Sequence, residues 1–303
     1  MSLRDARVVV VMGKGGVGKT TLTAALALNR AREGRRVLVA EVGGGSRFSA
    51  LFGHTGSYTP TQVAEGIHAI TLTPQEAIED YVVLRLKLRS LYHLVFGNRV
   101  MRPFLAAVPG LHDLIQLGKV FFEEARTHPD GSFVWDQILL DAPATGHGVT
   151  MLHAPRSMME LTGSGPFHEN AGLVHDLFAD PERTSLVVAA LPEELVVNET
   201  LELVDRLEDL GDQLALCVLN EVQPVGESPH AIERVQSHLE GLGMEEALAL
   251  AWAEAARGET QELSHTRLVE GLGCPVIELP LLEERDLGPA ELNRLAKFLE
   301  PWA

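Results

Sequence analysis

The run Gly13-Lys14-Gly15-Gly16-Val17-Gly18-Lys19-Thr20-Thr21 constrains this chain more than any other stretch. It matches the pattern G-x-x-x-x-G-K-[ST] from Gly13 through Thr20. At ordinary composition a chance match in a chain of this length is about one in a hundred. The flanks narrow the reading further. Arg7–Met12 (RVVVVM) is a β-branched apolar run that leads into the glycines. TTLTAALALNRAREG follows, with apolar residues at helical spacing and Gly34 as a stop. Arg36–Val42 (RVLVAEV) then reads as a second buried strand. Strand, glycine turn, helix and strand make a right-handed βαβ unit and imply a parallel sheet.

A glycine loop in that position has a specific chemistry. Its glycines let successive N–H groups turn inward as a cradle for phosphate oxygens. The helix that follows adds the positive end of its dipole. Gly15, Gly16, Val17, Gly18, Lys19, Thr20 and Thr21 are therefore expected to hold a nucleoside triphosphate with Mg²⁺. Lys19 is expected at the β- and γ-phosphates, and the Thr20 hydroxyl on the metal. A buried Lys19 with no anion to face would be costly. Asp141 ends another apolar run at the sheet edge where open α/β folds bind nucleotides, which marks it as the second metal ligand, directly or through water.

Further continuous apolar runs occur at Trp135–Ala142, Ser185–Leu191, Gln213–Asn220 and Cys274–Pro280, as expected for strands covered on both faces. Helical patterns lie between them at Asn198–Leu210, Ser228–Glu240, Met244–Glu270 (with a break near Gly258) and Pro289–Leu299. The fold class expected is α/β: a doubly wound, mostly parallel sheet with helical insertions. Residues 1–303 read as a single domain, with insertions at about 74–128 and 151–181. Their apolar stripes (Leu84, Leu88, Leu91, Leu94, Val95 and Phe96; Leu114, Leu117, Val120 and Phe121) fit two readings. One is an apolar groove for a client helix, the other a helical cap packed on itself.

Charge and cysteines exclude several roles. The chain has 25 Lys+Arg against 42 Asp+Glu, a formal net charge of -17. Such a surface repels a phosphate backbone, so no nucleic-acid partner is expected. The C-terminal run GPAELNRLAKFLEPWA carries only Arg294 and Lys297 as cations, which argues against a positioning ATPase on membrane or nucleoid. Cys217 and Cys274 stand far apart in apolar runs, and there is no C-x-x-C pair for a zinc site. No run approaches the ~18 apolar residues of a membrane span, and no leader is evident, so a cytoplasmic protein is expected.

The motif K-G-G-V-G-K-T, with its early Lys14, resembles the deviant phosphate loop of dimerising ATPases. Ile138–Pro155 (ILLDAPATGHGVTMLHAP) is similar to the second switch segment of one branch, the arsenite-pump and tail-anchored-protein targeting ATPases. Asp141, Thr145, Gly146 and His147 match that pattern, with the proline displaced to Pro143. Glu194, Glu199 and Thr200 match a downstream helix entry. The resemblance implies a dimer, homomeric or with a related ATPase, around two ATP molecules, with Lys14 reaching the partner's nucleotide. Otherwise Lys14 is a solvated loop lysine. It also implies a protein client or membrane-protein partner, with Asn220 at the adenine edge and Pro280 and Leu281 packed on the base. The Asn220 amide offers a donor and an acceptor, which favours ATP over GTP. His147 is either part of the switch or a packing histidine.

Two departures limit what carries over. The family's water-orienting aspartate falls on Gly43, which has no side chain to position water. Glu41 is a substitute two residues earlier on the same strand face, displaced by roughly 6–7 Å. The alternatives are therefore a slow ATPase with Lys14, Lys19, Asp141 and Glu41 as its catalytic groups, or a non-hydrolysing partner subunit. Cys217 and Cys274 lie in strands rather than in a helical insertion, so no cysteine-based arsenite site is expected.

Overall fold

In the computed structural model the described residues are 3–43, 45–80, 108, 110–144, 146–282, 284 and 287–302. The apolar runs form a sheet in the spatial order β3-β4-β2-β5-β1-β6-β7-β8. Its strands are β1 (Val8–Gly13), β2 (Val37–Val42), β3 (Thr61–Ala64), β4 (Ile67–Leu72), β5 (Gln137–Asp141), β6 (Thr184–Ala190), β7 (Leu214–Val222) and β8 (Val276–Pro280). Neighbours pair in parallel except the edge pair β3 and β4. The expected α/β class is the observed one. The β3–β4 hairpin is an addition that the apolar pattern does not announce. It turns at Gly66, whose φ of 73° suits glycine.

Alternation along β1 explains the layers. Val9 and Val11 join a core with α1 (Lys19–Arg32) and, in chain order, the tenth described helix α10 (Pro289–Leu299). Val8, Val10 and Met12 point the other way, into a core with α4 (Leu111–Glu124), α5 (Gly146–Thr162) and α6 (Pro166–Ala179). Short helices α2 (Arg47–Leu51) and α3 (Pro74–Asp80) follow β2 and β4. The C-terminal half adds α7 (Glu194–Asp205), α8 (Pro229–Gly241) and α9 (Glu245–Leu272). Arg30, almost wholly buried near the end of α1, donates to Gln137 Oε1 at 2.8 Å and so fastens that helix to β5.

Of the two insertions, α4, α5 and α6 form the layer against one sheet face. Leu114, Leu117 and Val120 are buried in the same cluster as Val8, Val10, Leu38 and Leu140, with Phe121 half-buried against it. Leu84, Leu88, Leu91, Leu94, Val95 and Phe96 lie outside the described residues. Two helix expectations need correction. α9 runs unbroken for 28 residues through Gly258. A Cβ at Gly258 would lie 2.8 Å from Val225 Cγ1, so this glycine admits a neighbouring loop and does not stop the helix. The helix expected over Asn198–Leu210 begins earlier, at Glu194, and ends at Asp205. Beyond it Glu208 takes a φ of 51° and opens a 3₁₀ turn, Glu208–Gln213.

Truncation of Leu117, which has 0% exposure, tests whether α4 belongs to the sheet core. Leu117→Ala is expected to lower unfolding stability by about 2–5 kcal/mol in urea titration, whereas a side chain in an open groove would cost far less.

Candidate active site

β1 ends at Gly13, where a Cβ would sit 2.4 Å from Ala189 O, so only glycine lets the chain leave the sheet against β6. The loop then turns through Gly16 and Gly18, with φ of 90° and 87°. Gly18 is the N-cap of α1 and brings no side chain to its first amides, which stay open to a ligand. Lys19 Nζ curls over the loop and donates to Gly13 O at 3.0 Å and Lys14 O at 2.8 Å. The Thr20 hydroxyl donates to Asp141 Oδ2 at 2.6 Å. That contact is possible because β1 and β5 pair in parallel with Val11 opposite Asp141.

These residues line a cavity of about 530 Å³ at the carboxyl edge of β1, β2 and β5. Gly15, Gly16, Gly18, Lys19, Thr20 and Thr21 form its floor; Glu41, Gly43, Arg47 and Asp141 are among its walls. Burial dominates the electrostatics. Desolvation lowers the pKa of Lys19, with Asp141 pulling it back up. Desolvation raises Asp141, against the Thr20 hydrogen bond and the charges of Lys19 and Arg47. Glu41 sits opposite Asp141 in the β2–β5 register and is also raised, chiefly by desolvation. Its Oε1 accepts from the backbone N–H of Arg47 at 2.6 Å and of Phe48 at 3.4 Å. Glu41 therefore caps α2, whose N-cap residue Ser46 makes no side-chain cap. Its other oxygen, Oε2, is buried and has no hydrogen-bond partner among the described residues.

Other expected site residues lie outside the cavity wall. Lys14 turns to Glu199 of α7, with Nζ 2.9 Å from Oε1. Asn220 is buried near the end of β7 and donates through Nδ2 to Val17 O at 3.0 Å, bracing the loop from behind. Val17 itself is fully buried. Pro280 ends β8, and Leu281 is exposed, its N–H bonded to Val222 O at 2.9 Å. His147, at the start of α5, places Nε2 3.4 Å from Asp113 Oδ1 on α4. Desolvation raises the Asp113 pKa, with the nearby His147 and His112 lowering it. Thr145 lies outside the described residues. Cys217 is buried in β7 and Cys274 half-buried just before β8, both as free thiols.

Two features escape the sequence reading. One is Arg47, a cation on the cavity wall, whose only signal is its place at the end of a glycine run. The other is the pairing of Lys14 with Glu199, residues 185 positions apart. Gly43 is more informative in three dimensions. A Cβ there would meet nothing within 4 Å, yet its φ of 105° is one that an aspartate rarely adopts. The position has room for a side chain, but its backbone is shaped for glycine.

Comparison with known proteins agrees with this geometry. The family profile of anion-transporting ATPases matches residues 6–164. ATPase BagA of Mycobacterium tuberculosis is 30% identical over 245 residues, covering 77% of this chain and 70% of that protein. An arsenical pump-driving ATPase of Escherichia coli is 27% identical over 245 residues, covering 71% of this chain and 39% of its own length. A putative arsenical pump-driving ATPase 1 of Aquifex aeolicus is 23% identical over 336 aligned positions, covering 97% of this chain and 78% of that protein.

The brace at Asn220 is open to direct measurement. Asn220→Ala leaves the Val17 carbonyl without its partner and is expected to cost about 1–3 kcal/mol. Amide hydrogen exchange over residues 13–21 is expected to accelerate in the variant; unchanged exchange there would show that the loop holds itself.

Proposed function

The chain belongs to the anion-transporting ATPase family, and from that premise we propose that it is a cytoplasmic, ATP-binding, dimeric switch that couples nucleotide state to a protein partner. The observation that carries the reading is the convergence of Lys19, Thr20 and Asp141 on one cavity at the carboxyl edge of the sheet. The amides of Gly15 to Thr21 and the α1 dipole supply donors for phosphate oxygens, and Lys19 supplies the charge.

Thr20 and Asp141 are the pair to hold Mg²⁺. A hydroxyl and a carboxylate are hard oxygen donors, and among the described residues the buried Asp141 carboxylate accepts from Thr20 and feels the field of Lys19 and Arg47. The bound metal would neutralise charge building on the phosphates. Asn220 spends its amide N–H on Val17 O and keeps its carbonyl oxygen for the adenine amino group. Pro280 and Leu281 supply an apolar rest for the base. The reading makes Lys14 the residue that exchanges Glu199 for a partner's nucleotide when two chains meet, and leaves the partner either a second copy or a related ATPase.

Slow hydrolysis follows from Gly43. Positioning is most of phosphoryl-transfer catalysis, and neither a side chain nor a suitable backbone for one exists at that position. A second reading, a non-hydrolysing ATP-binding partner subunit, is favoured by the same observation.

Three measurements test these statements. Lys19→Ala is expected to abolish ATP binding in calorimetry, and retained affinity contradicts the loop assignment. Lys14→Ala is expected to spare ATP binding and weaken ATP-dependent dimerisation in analytical ultracentrifugation; an unchanged dimer makes Lys14 a solvated loop residue. Single-turnover release of phosphate, slow but above background, separates the switch from the non-hydrolysing subunit, in which no phosphate appears.

A further inference from the structure

The cavity has a second basic wall. Lys19 stands on the loop side, and Arg47 lines the same space from the start of α2. Its charge acts on Lys19, Glu41 and Asp141 alike. The backbone of Arg47 is fixed: its N–H is held at 2.6 Å by the buried Glu41 carboxylate, and the preceding residue, Ser46, sits in a left-handed turn with φ of 47°. Its stem is guided as well. A Cβ on Gly45 would lie 3.5 Å from the Arg47 Cγ and 3.6 Å from Nε, so the stem runs beside the glycine backbone. The guanidinium itself makes no hydrogen bond or ion pair with another described residue. An arginine with a fixed root and an uncommitted head thus stands beside a phosphate cradle.

A triphosphate carries more negative charge than one lysine and one divalent ion neutralise. The guanidinium offers a planar fork of donors that matches phosphate oxygens in pairs. We propose that Arg47 binds the terminal phosphate of the nucleotide, so that the segment between β2 and α2 distinguishes a triphosphate from a diphosphate. The inference rests on the nucleotide reading above and adds to it a residue for specificity. It also gives the Gly43 substitution a counterpart. On this wall Gly43 brings no side chain to orient water while Arg47 brings one to hold phosphate, which favours retention of ATP over turnover. Loss of the terminal phosphate would release the guanidinium at the same residue whose N–H is bonded to Glu41 at the start of α2.

The test is calorimetric titration of the full chain with Mg²⁺-ATP and, separately, Mg²⁺-ADP. Wild type is compared with Arg47→Gln and Arg47→Lys. Arg47→Gln is expected to weaken ATP by about tenfold or more and ADP by less than about twofold, the loss of one charge-assisted contact. Arg47→Lys is expected to recover part of the loss, because a point charge replaces the fork. Equal weakening of both nucleotides, or unchanged ATP affinity in Arg47→Gln, overturns the role of Arg47. Wild type that binds neither nucleotide rejects the ATP site itself. Because the side chain is exposed, the thermal transitions of the variants are expected to match wild type, which keeps a binding loss distinct from a folding loss.

Discussion

The hydrogen bond from Thr20 to Asp141, 2.6 Å long, joins the two halves of the site. One end belongs to the first turn of α1, the other to the last residue of β5. It exists because parallel pairing brings β1 and β5 to the same edge, with Asp141 opposite Val11 on one side and Glu41 on the other. In an antiparallel sheet those ends would point away from each other. The buried strands are thus more than a scaffold: their common direction concentrates a lysine, a hydroxyl and two carboxylates where no single segment carries them all. The cost appears in the shifted ionisation of Lys19, Asp141 and Glu41, all driven first by loss of water.

Around that bond, each loop is held by a different device. The glycine loop is braced by Asn220 from β7, and the close approach is possible only because Gly18 has no Cβ, which would fall 2.3 Å from the Asn220 Nδ2. The segment after β2 is held by Glu41 at the start of α2. At the start of α5, His147 Nε2 lies 3.4 Å from Asp113 Oδ1. Lys14 is tethered to α7 by a half-exposed ion pair, a contact of the kind worth at most about 1 kcal/mol. The loop lysine is therefore the most weakly tethered of these groups.

Much of this was legible in the chain itself. Unbroken β-branched runs flag buried parallel strands, and the glycine pattern between strand and helix flags phosphate chemistry, because both depend on local covalent properties. The β3–β4 hairpin was harder to see: its edge strand is mostly exposed and has no apolar run. Gly258 misled for the opposite reason. A glycine in a helical pattern reads as a stop, yet here it accommodates Val225, a contact visible only after α9 is in place. Asn220 was read for its ligand-facing chemistry, and its bond to Val17 could not be read because it spans 203 positions. Arg47 lay in plain view, but nothing local says that Gly45 and Ser46 aim it along the cavity.

Glu41 shows how far one carboxylate is committed by its surroundings. Oε1 holds two amides of α2, while Oε2 is enclosed without a partner. Moving that side chain towards position 43 would draw Oε1 away from the amides it caps. An aspartate at position 43 would likewise demand a new backbone conformation there. Placing a carboxylate after β2 is therefore a matter of remaking a turn of backbone as well as of changing one side chain.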